Sequence, residues 1–209
     1  MSLDSLLQRT DVWRGGVAPP PTGLASGFAA LDARLSGGWP RGAVSELLFA
    51  RAGIGEFTLL VPALARLSRE GRWLVLVAPP YVPYAPALTR AGVDLARAIV
   101  VEPRVPRDAL WVAEQALRAG ACGAVLLWRE EVEPRALRRL QLAAETGGGL
   151  GVLFRSLRYA GESSPAALRT RGSFSGSASW RSAIYGWKLG GGVVTWVTES
   201  GSVSITWSH

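Results

Sequence analysis

The sequence predicts an α/β fold, a doubly wound, mainly parallel sheet with an antiparallel C-terminal extension. Two observations carry that expectation. From Val44 onward, short apolar runs rich in branched residues alternate with helix-like stretches, the pattern left by βαβ units whose strands are buried on both faces. After Phe154 the character changes to Gly/Ser segments separating shorter strand-like runs. The chain has 209 residues, of which 48% are hydrophobic, enough for a packed core. Its 25 glycines and 13 prolines imply loops rather than disorder.

In chain order, residues 1–21 read as an arm and linker. Leu3, Leu6 and Leu7 lie on one side of a short amphipathic helix, Asp11–Gly16 follows, and Pro19, Pro20 and Pro21 form a spacer. Residues 22–209 read as one domain, with a core over about 22–155 and a β extension over about 165–209. The core strands are Val44–Leu48, Trp73–Val77, Ala98–Val101, Ala124–Trp128 and Leu150–Phe154. The helices are Phe57–Arg69, Ala85–Ala91, Ala109–Ala119 and Arg135–Glu145. Pro62 should kink the first helix or delay its start. Asp108 is placed to cap the third, which Gly120 stops. Pro134 opens the fourth, and Gly147, Gly148 and Gly149 end it. Gly172–Ser179 reads as a loop, and Ile184–Leu189, Val193–Thr198 and Ser202–Trp207 as antiparallel strands, the last two joined by a turn at Glu199-Ser200-Gly201.

Composition excludes several chemistries. A single cysteine, Cys122, and a single histidine, His209, cannot supply a disulfide, a Cys/His zinc site or a histidine-based hydrolase triad. The N-terminus has no basic start or long apolar stretch, and the apolar run from Trp73 to Ala78 is far short of a bilayer span. A cytoplasmic protein is expected, with nucleoid association open. Net charge is +7, and Lys188 is the only lysine among 23 cationic residues. Arginine forks suit phosphates and carboxylates, so the candidate contacts to DNA or an acidic partner are Arg135, Arg138, Arg139, Arg155, Arg158, Arg169, Arg171 and Arg181. The competing reading is a solvated charged face. Trp73, Trp111 and Trp128 are expected in the core. Trp13, Trp180, Trp187, Trp196 and Trp207 are candidate partner anchors.

The segment Gly53-Ile-Gly-Glu-Phe-Thr58, between a strand and a helix, stands where a phosphate loop would be. A working loop needs lysine and a hydroxyl after its last glycine. Here Gly55 is followed by Glu56 and Phe57, and Thr58 has no lysine before it. A carboxylate beside phosphates is repulsive, so no nucleotide cofactor and no ATPase activity are expected. Glu130, Glu131 and Glu133 read as the acidic entry to a helix rather than as a metal cluster.

Thr22-Gly23, Phe28-Ala-Ala-Leu-Asp32, Gly37-Gly-Trp-Pro-Arg-Gly42 and Val44-Ser-Glu46 resemble the run that leads into the phosphate loop of bacterial RecA recombinases. With Gly53–Glu56, Ala78-Pro-Pro80, Asp108-Ala-Leu-Trp111, Glu114-Gln-Ala-Leu117 and Arg138–Ala144, the chain resembles the ImuA family, the RecA-like proteins of SOS mutagenesis cassettes. That resemblance implies a RecA-like fold with its catalytic positions vacant. The lysine position falls on Glu56, the glutamate near Pro79-Pro80 and the magnesium aspartate on Trp128. It further implies a non-catalytic part in damage-inducible translesion synthesis, with RecA, ImuB and an error-prone replicative-type DNA polymerase as partners, direct DNA binding and self-association open, and Leu3, Leu6, Leu7, Trp13 and Arg14 as the arm's partner contacts. A second resemblance is to SulA-like cell-division inhibitors, which bind a tubulin-like GTPase. The lead through Gly37–Gly42 favours the first.

Overall fold

A computed structural model describes residues 23–35, 37–50, 56–175, 192–198 and 201–207. Its elements in chain order are α1 (Ala29–Arg34), β1 (Ala43–Phe49), α2 (Val61–Arg69), β2 (Trp73–Val77), α3 (Ala85–Arg90), β3 (Ala98–Val101), α4 (Asp108–Arg118), β4 (Cys122–Trp128), α5 (Pro134–Gly147), β5 (Leu150–Ser156), β6 (Leu168–Ser175), β7 (Gly192–Thr198) and β8 (Gly201–Trp207). Short 3-10 turns lie at Glu56–Leu59, Leu95–Arg97 and Leu157–Gly161.

The strands form one sheet in the order β3-β2-β4-β5-β1-β6-β7-β8. The first six are parallel, and β7 and β8 continue antiparallel from β6. The expected α/β architecture, mainly parallel with an antiparallel end, is therefore present. Ile184–Leu189, the arm residues and Arg181 lie outside the described residues.

Strand alternation splits the interior into two layers. Leu47, Phe49, Leu74, Leu76, Leu126, Val152 and Phe154 pack under α1 and α2. Val44, Val75, Val77, Val125, Leu127 and Leu153 pack under α4 and α5. All seven residues of β1 are buried, because it has a strand on each side and cover on both faces.

Four expectations need correction. The predicted helix Phe57–Arg69 is a 3-10 turn followed by α2, whose first turn holds Pro62. Proline needs no N–H partner there, so of its two expected effects the delayed start is the one seen: the helix begins at Val61 and takes Pro62 into its first turn. Asp108 makes no capping hydrogen bond; it is the first residue of α4, with Arg107 before it. Trp111 is 61% exposed, not in the core. Finally, Gly172–Ser175 belong to β6, a strand the sequence did not announce. It pairs in parallel with β1, Glu46 beside Arg169.

The lead into the sheet is fixed by close packing. Leu24 and Trp39 exchange backbone hydrogen bonds at 2.8 and 2.7 Å, and a Cβ on Gly38, whose φ is +117°, would sit 2.1 Å from the Leu24 carbonyl oxygen. The Gly-Gly-Trp run is thus demanded by a local bridge that buries Trp39.

Candidate functional site

In parallel α/β sheets, ligands bind outside the carboxyl ends of the strands. At that position, beyond β1, β4 and β5, lies a crevice of about 260 Å³ lined by Phe49, Glu56, Ala78, Pro80, Trp128, Arg129 and Phe154, among others. Its floor is aromatic. Phe154 stacks on Trp128 with ring centroids 4.4 Å apart and planes 8° apart. Phe49 lies 6.2 Å from Phe154, and Phe57 6.2 Å from Trp128. The Glu56 carboxylate is buried at the start of its 3-10 turn, and Ala78 on the rim has a φ of +52°. The lining thus combines stacked rings and a buried acid with the guanidinium of Arg129. Of the expected loop residues, Glu56, Phe57 and Thr58 are described; Gly53 and Gly55 lie outside the described residues. Among the described residues, no group of three His, Cys, Asp or Glu side chains could hold a metal ion.

Across the sheet lies an ionic cluster that sequence reasoning missed. Glu46 on β1 is fully buried. One carboxylate oxygen lies 3.0 Å from Arg155 Nη1 and the other 2.8 Å from Arg169 Nε. The other terminal nitrogen of Arg155 reaches Glu162 at 3.0 Å, and its Nε donates to the Glu130 carbonyl at 2.9 Å. Arg169 donates to the carbonyls of Tyr159, Ala160 and Glu162. The guanidinium of Arg155 lies 4.2 Å from the centre of the Tyr159 ring, and that of Arg158 4.7 Å. The two arginines hold the Leu157–Gly161 turn over this end of β1 and β6. The signal was available in part, since Glu46 is a charge inside an otherwise apolar run.

The candidate arginines therefore fall into two groups. Arg155 and Arg169 are engaged within the molecule. Arg171 is exposed, with one hydrogen bond to the Ala160 carbonyl at 3.3 Å. Arg158 donates to the Tyr159 hydroxyl at 2.7 Å, which raises its pKa above the ordinary arginine value. On α5, Leu137, Leu140, Ala143 and Ala144 are buried, and Arg135, Arg138 and Arg139 lie on the exposed side. Arg139 pairs with Glu114 of α4 at 3.1 Å, and Arg118 holds the same carboxylate at 2.8 Å. Elsewhere, Arg66 holds the Glu70 carboxyl below its usual range, and burial pushes the Cys122 thiol up. Leu3, Leu6, Leu7, Trp13 and Arg14 lie outside the described residues.

Comparison with known proteins overturns the ImuA resemblance and, with it, the translesion role and the expected partners RecA, ImuB and the error-prone polymerase. A family model described as "Cell division inhibitor SulA" matches residues 42–151, more than half the chain. The cell division inhibitor SulA of Pseudomonas aeruginosa is 37% identical over 107 residues, 50% of this chain and 66% of that protein. Those of Yersinia enterocolitica and Serratia marcescens are 28% and 27% identical over 116 and 121 residues, 56% and 58% of this chain and 69% and 72% of theirs. The chain thus spans about two thirds of the length of these relatives. The crystal structure of Pseudomonas aeruginosa SulA is 32% identical, with a TM-score of 0.46, covering 54% of this chain and 97% of that one. The Gly37–Gly42 lead that favoured ImuA enters the matched segment only at its last residue. In this structure it serves the Leu24–Trp39 bridge, a local packing requirement. The segment that is matched is the parallel core itself, from the residue before β1 to the second residue of β5. The chain belongs to the family of the cell division inhibitor SulA.

Proposed function

We propose that this protein inhibits cell division by binding a tubulin-like division GTPase, without catalysis of its own. The observation that carries the reading is the family match over residues 42–151, which takes in β1 and β4 of the crevice and the start of β5. The chemistry of that crevice supports the non-catalytic half. We read it as the remnant of a RecA-like nucleotide site, with the buried Glu56 where a lysine would be needed and Trp128, stacked on Phe154, where a metal-binding carboxylate would be needed. Exposed Arg135 and Arg138 on α5 make no ion pair with a described residue and are the arginines best placed to meet an acidic partner surface.

The test is direct. The purified chain should bind the division GTPase of its own host and lower the amount that sediments as polymer, and its expression should produce filamentous cells. Arg135→Glu with Arg138→Glu should weaken binding several-fold and reduce its salt dependence. Failure of the wild-type chain to bind the GTPase at any ionic strength would refute the reading.

A further inference from the structure

A second concavity, a groove of about 700 Å³, lies between the start of α4, the β4–α5 connection with the first turns of α5, and the turn that follows β5. Its volume is within the range of ligand sites. The apolar part of its lining is aliphatic on two walls, with Leu110, Val132 and Ala136. Four arginines stand around them: Arg107, Arg129, Arg135 and Arg139. Arg129 and Arg135 make no ion pair with a described residue, and the side chain of Arg129 donates only from Nε, to the Glu131 carbonyl. Arg107 comes no nearer than 3.9 Å to Asp108, with both side chains exposed, a contact that contributes little. Arg139 shares the Glu114 carboxylate with Arg118. Arg155 and Glu162, also on the wall, neutralise each other within the ionic cluster. Against these cations the lining sets two further carboxylates, Glu131 and Glu133, so positive charge is in surplus.

We propose that this groove, on the reading that a division GTPase is the partner, receives an acidic, extended segment of that GTPase. Two features select a peptide over nucleic acid. First, the cations are interrupted by Glu131 and Glu133, which would meet the evenly charged backbone of a polynucleotide as like charges. An acidic peptide spaces its carboxylates with apolar side chains, and the lining alternates arginines with Leu110, Val132 and Ala136 in the same way. Second, nucleic-acid channels offer aromatic faces on which bases stack. The one ring among the described lining residues, Tyr159, already has the guanidiniums of Arg155 and Arg158 at 4.2 and 4.7 Å from its centre. The groove also sorts the two α5 arginines offered to the partner, since Arg135 lines it and Arg138 does not. One wall, from Arg155 to Ser163, lies beyond the segment matched by the family model.

Titration of the labelled full chain with the division GTPase of its own host, read by fluorescence anisotropy at physiological salt, tests this. Arg129→Glu and Arg135→Glu should each weaken binding several-fold, and Arg135→Glu should do more harm than Arg138→Glu. Arg104→Glu makes the same charge change at an exposed residue that does not line the groove, and should leave the affinity within about twofold of the wild type. Glu131→Arg, at an exposed position, should tighten binding several-fold, a gain that a loss of folding cannot produce. Circular dichroism melts of each variant show that the fold persists. A wild type that binds the GTPase while Arg129→Glu, Arg135→Glu and Glu131→Arg all match it overturns the groove and leaves the GTPase reading standing. Equal losses from Arg135→Glu and Arg138→Glu would assign the contact to the open face of α5 and also overturn it. So would displacement of the GTPase by an oligothymidylate, which would give the groove to nucleic acid. A wild type that does not bind the GTPase refutes the reading and the groove together.

Discussion

Glu46 shows how much one side chain can commit. Its carboxylate is fully buried and its counter-charges are Arg155 and Arg169. Glu46→Gln keeps the shape and removes the charge, leaving two guanidiniums without their shared anion. Breaking a buried pair from one side costs about 3–5 kcal/mol, and urea denaturation should show a loss of that order. Arg155→Met should be similarly harmful, and the double variant should cost well below the sum of the two, because the second change removes a charge already stranded. Additive losses would mean that the cluster is not coupled. Cys122 offers an independent check of the interior. Its thiol is buried and burial raises its pKa, so at pH 8 a soluble alkylating reagent should label the native protein far more slowly than the urea-unfolded chain. Equal rates would contradict the burial of β4 at its first residue.

Between elements, the tightest joint is that of α4 with α5. A Cβ on Gly147 would lie 1.9 Å from the Leu117 carbonyl oxygen, whereas one on Gly148 meets nothing within 4 Å. Gly148 has a φ of +69° and needs glycine only for its left-handed backbone. Gly147→Ala should therefore cost about 1–3 kcal/mol or more through overpacking, and Gly148→Ala about 1–2 kcal/mol through backbone strain. A thermal melt in which Gly148→Ala is clearly the worse of the two would refute this packing. Both glycines were legible in the sequence as the end of a helix; their different tasks were not, because one depends on a neighbouring helix. The core strands β1 to β5 were legible because strands buried on both faces read as unbroken apolar runs. β6 was not, since Leu-Arg-Thr-Arg-Gly-Ser-Phe-Ser has little apolar content. Its place comes from pairing with β1 and from the bond between Arg169 and Glu46. The exposure of Trp111 could have been read. It lies about 200° around the helix from Ala109, opposite the buried stripe of Ala109, Ala113 and Leu117.

At the level of the whole molecule, the sheet grades from a protected centre to an open end. β1 is flanked by β5 and β6 and wholly buried, whereas among the described residues β3 has a neighbouring strand on one side. Native-state hydrogen exchange in dilute protein should find the amides of β1 slowest and those of β3 fastest among the six parallel strands; equal protection would contradict the topology. The candidate site was legible to the same graded extent. The lack of a lysine after Gly55 could be read from one stretch of chain. The aromatic stack that fills the crevice could not, because Phe49, Trp128 and Phe154 come from three strands. The ionic cluster was least visible, as Glu46 and Arg155 are separated by 109 positions. The family match ends at residue 151, and every counter-charge to Glu46 comes after it. A family boundary is therefore not a folding boundary here. A fragment cut where the resemblance stops would sever β5 after two residues and leave a carboxylate sealed in its sheet with no cation to answer it, so the shared core stands only with the segment that follows it.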